Sequence, residues 1–73
     1  MEYDYSKLKG LITEKFGSQR AFAKAIDRDD VYVSRYLNNT VRFTQAAIAL
    51  WVNVLDIDIR DIGIYFFTLK VDT

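Results

Sequence analysis

A chain of 73 residues with ten cationic and ten anionic side chains, 51% hydrophobic residues, no histidine and no cysteine is one domain near the smallest size that folds unaided. Without His or Cys it lacks the commonest general base, the thiol nucleophile and the usual zinc ligands, so neither an enzyme, a metal site nor a cofactor is expected. The longest apolar run, residues 46–52, falls far short of the ~20 residues that cross a bilayer, and the acidic first residues carry no secretory signal; the expected location is the cytoplasm.

In chain order, Asp4 or Ser6 caps a first helix whose apolar stripe is Leu8, Leu11, Ile12 and Phe16. Gly10 weakens it and Gly17 ends it. Ser18 caps a second helix from Gln19 to Ile26, with Phe22, Ala23 and Ile26 inward. Asp27 and Arg28 turn the chain, and Asp29 caps a third helix running to about Leu37 with Val33, Tyr36 and Leu37 inside. The asparagines of "NNTVRF" tolerate left-handed backbone and mark a loop. Thr44 caps a fourth helix with Ile48, Val52 and Leu55 as its inner stripe and Trp51 beside them. Asp58 caps a last helix with Asp61 at its third position and Ile62, Tyr65 and Phe66 inward. "FFTLKV" is expected to be a short strand or an extended tail. The fold class is all-α: five short helices, with a helix-turn-helix unit at about 19–37 inside one domain, 1–73.

Charge is neutral overall but uneven. Residues 19–42 carry Arg20, Lys24, Arg28, Arg35 and Arg42 against Asp27, Asp29 and Asp30, a net +2; residues 43–73 carry two cations against four aspartates, a net −2. Asp56, Asp58 and Asp61 cluster, yet without the Gly and Glu of a calcium loop they read as caps and solvated surface. Ile59, Ile64, Phe67, Leu69 and Val71 exceed what one small core needs and suggest an exposed apolar edge.

The stretches "KLKGLITEKFGSQRAFAKAI", "VSRYLNN" and "IRDIGIYFF" resemble the small Cro-like and modulator-of-repression helix-turn-helix proteins of temperate phages of Gram-positive bacteria. The resemblance spans residues 3–71. It implies a five-helix repressor-type domain taking part in the choice between lysis and lysogeny. Carried over by position, Gln19, Arg20, Lys24, Arg28, Asp30, Val31, Tyr32, Ser34, Arg35, Asn38, Asn39 and Arg42 would contact double-stranded operator DNA, the third helix entering the major groove, with two subunits on paired half-sites. Three positions depart from the family pattern. Asp27 stands where Gly is usual, Arg28 where an apolar residue is common, and Asp29–Asp30 lead a helix that should approach phosphates. Hence the alternative expectation: Asp27, Asp29, Asp30, Tyr32 and Arg35 form a surface that binds the phage repressor's basic DNA-reading face, with or without DNA.

Overall fold

The computed structural model describes residues 2–71; Met1, Asp72 and Thr73 lie outside the described residues. Its helices are α1 (Ser6–Phe16), α2 (Gln19–Ala25), α3 (Asp30–Leu37), α4 (Gln45–Leu55), a one-turn 3-10 helix (Ile59–Asp61) and α5 (Ile62–Phe66). The chain is all-α, as its sequence predicts.

Local chemistry sets most boundaries. The Asp4 carboxylate accepts the Ser6 N–H at 2.9 Å and its hydroxyl at 2.5 Å, although the residue at the cap position itself is Tyr5. Gly17, at φ 85°, donates its N–H to the Thr13 carbonyl, a left-handed stop that glycine enters freely. The side chains of Ser18, Asp29, Thr44 and Asp58 accept the N–H groups of Ala21, Tyr32, Ala47 and Arg60, so four expected caps form. Asp27 takes φ 59°, and the following Arg28 N–H closes onto the Ala23 carbonyl at 2.8 Å. Ile26 terminates α2 rather than belonging to it. The single last helix expected after Asp58 is instead a 3-10 turn followed by five α residues. Asp56, also left-handed at φ 54°, caps α4, and the Lys15 ammonium donates to the Leu55 carbonyl at that helix's end.

The core is built on seven side chains with almost no exposure, Leu8, Ile12, Phe22, Val33, Trp51, Leu55 and Phe66. Aromatic rings run through it in series. Phe16 meets Phe22 at 5.4 Å, Phe22 meets Trp51 at 4.9 Å, and Trp51 meets Phe43 at 4.8 Å with planes at 90°. Phe43 then meets Tyr5, Tyr36 and Phe66. Edge-to-face pairs of this kind add about 0.5–1.5 kcal/mol each beyond buried area. The α4 stripe differs from the expectation: Ala47, Trp51 and Leu55 point inward, while Ile48 and Val52 lie half-exposed on the flank. Each is one residue, ~100° of helix rotation, away from the inner row. Centring the indole among three other rings decides that rotation.

Residues 2–4 and 68–70 meet. Tyr3 and Leu69 form a lone antiparallel bridge, with Asp4 N–H to Thr68 C=O at 2.7 Å and Lys70 N–H to Glu2 C=O at 3.0 Å. Of "FFTLKV", Phe66 belongs to α5 and Phe67 caps it, and the residues that follow are an extended tail held at one bridge. Ile59, Ile64, Phe67, Leu69 and Val71 are all exposed, Ile59 most among the isoleucines at 81%.

Candidate functional site on the third helix

The four-residue turn 26–29 joins α2 to α3, and the two helices pack against each other. Val33, Tyr36 and Leu37 are buried, so α3 presents the opposite stripe to solvent. Asp29 is spent as the cap. Asp30, in the first helical turn, is exposed and makes no hydrogen bond or ion pair among the described residues; its charge suits the positive end of the helix. Val31 is 53% exposed.

Tyr32, placed among the contact residues, is half-buried rather than fully exposed. Its ring leans edge-on against Tyr36 at 5.0 Å, and the Arg28 guanidinium lies over it, 5.3 Å from its centroid. The left-handed Asp27 makes this possible, because it swings Arg28 back across the start of α3. There an Arg28 Nη1–H also donates to the Asp27 carbonyl at 3.3 Å. Burial, and secondarily the neighbouring Tyr32 hydroxyl, push the Tyr36 phenol above its ordinary value. Arg28, Val31, Tyr32, Arg35, Tyr36 and Val41 line a shallow hollow of about 440 Å³ on this face.

The remaining positions scatter around it. Arg20 and Lys24 are exposed on α2, and Gln19 is half-buried. Arg35, Asn38 and Arg42 are exposed, and Asn38 donates to the half-buried Ser34 hydroxyl at 3.0 Å. Asn39 has a structural role that the sequence did not reveal. Its amide accepts the Tyr3 N–H at 3.1 Å and donates to the Tyr3 carbonyl at 2.9 Å, pairing with the backbone as a neighbouring strand would. At φ 61° it also reverses the chain after α3.

The central face of the site is thus neither simply basic nor simply acidic. It is an apolar and aromatic centre between carboxylates at the start of α3 and arginines at its sides, one arginine already engaged by a ring.

No curated protein matches the sequence. Among solved structures, the solution structure of the modulator of repression of the temperate bacteriophage TP901-1 from Lactococcus lactis is similar: 44% sequence identity, 99% of this chain and 97% of that chain covered, TM-score 0.81. Residues 1–69 match the family described as "Protein of unknown function (DUF739)", and the chain belongs to that family.

Proposed function

We propose that the chain is a modulator of repression in a temperate phage, acting in the cytoplasm of the bacterial host by binding the phage repressor's DNA-binding domain through the exposed face of α3. The observation that carries this reading is the composition of that face. Asp27, Asp29 and Asp30 lead it, Val31 and Tyr32 form its centre, and the exposed Arg28 lies over the Tyr32 ring. A phosphate backbone would meet carboxylates first. A basic DNA-reading surface would instead meet complementary charge around an apolar centre, which speeds encounter and selects the partner. The modulator-of-repression relative at 44% identity supports the same role. In a gel shift with the repressor and its operator, the chain should remove the repressor–operator band, and Asp30→Lys should lose this effect. Displacement by the variant at wild-type concentrations would exclude the assigned surface.

A second reading is direct operator binding, as a monomer or a pair. It is favoured by Arg20, Lys24, Arg35 and Arg42, which are exposed and form no ion pair among the described residues. Four such phosphate contacts would give a salt slope of about −0.9 each. An operator shift by the chain alone, weakening with salt at that slope, identifies this activity.

A further inference from the structure

Beside the α3 face lies a second hollow of about 440 Å³, between the N-terminal segment, the loop after α3 and the C-terminal tail. Tyr3, Tyr5, Val41, Phe43, Phe66 and Phe67 line one part of it, and Glu2, Asn39 and Arg42 the rest. Val41, 38% exposed, lines both hollows, so the two form one continuous surface. The rings are already fixed by one another: Tyr5 on Phe43 at 5.4 Å, Phe43 on Phe66 at 5.0 Å, and Phe67 against Tyr3 at 5.9 Å with planes at 84°. Asn39, through Tyr3, holds the outer wall in place. A pocket ordered before binding loses little entropy when filled.

We propose that this hollow is an anchor pocket for the same repressor partner, taking one large apolar side chain, aromatic or leucine-sized. The inference rests on the repressor-binding reading above. Charge selects the occupant. Glu2 at the rim is held by the Lys70 ammonium at 2.9 Å, and Arg42 stands at the rim with no ion pair among the described residues. An entering cation would find its carboxylate taken and a like charge beside it. With Tyr5 and Phe66 buried beneath, an apolar side chain meets the open surfaces of Tyr3, Phe43 and Phe67 and displaces water from them. Buried anchors of this kind carry a disproportionate share of interface affinity, and charged rims surround them.

The test measures binding of the full chain to the repressor encoded in the same phage genome, with Phe67→Ala removing a wall of the hollow and Val31→Asp altering α3 alone. Phe67 is 51% exposed and outside the core. Both variants should weaken the complex, on the order of 10- to 100-fold. Weakening by Val31→Asp with Phe67→Ala unchanged overturns the pocket and leaves the α3 reading standing. If neither variant weakens the complex, or the unaltered chain forms none, both fall. Because Phe67 also packs on Tyr3, a measurement without mutation accompanies these: intermolecular nuclear Overhauser effects from the Tyr3, Phe43 and Phe67 rings in the complex. Contacts to one aromatic or aliphatic partner side chain are expected. Contacts to an arginine or lysine, none at all, or the same contacts between copies of this chain alone overturn the assignment.

Discussion

Replacing Asn39 separates a structural role from a DNA-contacting one. Its amide makes two hydrogen bonds to Tyr3 in a partly buried setting, across 36 residues of sequence. At a net 0.5–1.5 kcal/mol each, their loss costs about 1–3 kcal/mol. Asn39 also holds φ 61°, where alanine costs roughly 1 kcal/mol more than a residue at ease in left-handed backbone. Asn39→Ala should therefore destabilise the chain by about 2–4 kcal/mol, against a total on the order of 4–11 kcal/mol for a domain of this size. Asn39→Gly removes the same bonds but not the backbone freedom, so the two variants should differ in the alanine's disfavour. Urea denaturation followed by Trp51 fluorescence measures both. Amide exchange at Lys70 should quicken in both, because the bridge partner of Leu69 has lost its other support. Unchanged stability in Asn39→Ala would refute the account of the joined termini and return Asn39 to the solvent-side role its sequence position suggested.

Trp51→Phe should cost about 1–3 kcal/mol in urea denaturation, from lost ring contacts and volume, because the buried indole Nε1–H has no hydrogen-bond partner among the described residues. Asp29→Ala should cost about 1 kcal/mol through the lost cap on Tyr32 N–H, and Asp30→Lys about 0.5–2 kcal/mol, because it replaces a charge that suits the helix N-terminus with one that opposes it. Acid should fray the termini first. The Lys70 ammonium holds the Glu2 carboxyl below its ordinary value, and the Ser6 hydroxyl and N–H do the same for Asp4. Carboxyls lowered on folding contribute above the ordinary carboxylate range, and that contribution disappears as pH falls below about 4. The same ion pair raises Lys70, so its contribution holds between the carboxylate and lysine ranges and is lost as pH rises past about 10.4. Amide exchange at Asp4 and Lys70 across the acid range checks the first of these; constant protection would count against the ion pair.

The caps were legible because each is a contact within one helical turn. Ser18, Asp29, Thr44 and Asp58 announce themselves by residue type and by the apolar period that follows. The turn at Asp27 was legible from the family pattern, which has Gly there, and Asp is among the few other residues that tolerate left-handed backbone. What sequence concealed was long-range. No local pattern tells that Phe43, in a polar loop, sits among Tyr5, Tyr36, Trp51 and Phe66, or that Tyr5 and Ile57 are buried. Nor does period alone fix the rotation of α4, because a helix as apolar as residues 46–52 offers several adjacent stripes, and packing of the indole selects among them. At the site, residue identities on α3 followed from its inner stripe. The stacking of Arg28 over Tyr32 did not, since it depends on where the turn at Asp27 aims the next side chain. Asn39 was misleading because an asparagine in a loop reads as surface, and its partner is near the other end of the chain.

The central claim, that the α3 face meets a repressor rather than DNA, is tested most directly by following the backbone amides of this chain in an NMR titration. Added repressor, without DNA, should shift residues 29–35 and Val41, while operator DNA alone leaves them in place. Shifts at those residues on adding operator DNA, with none on adding repressor, would contradict the account.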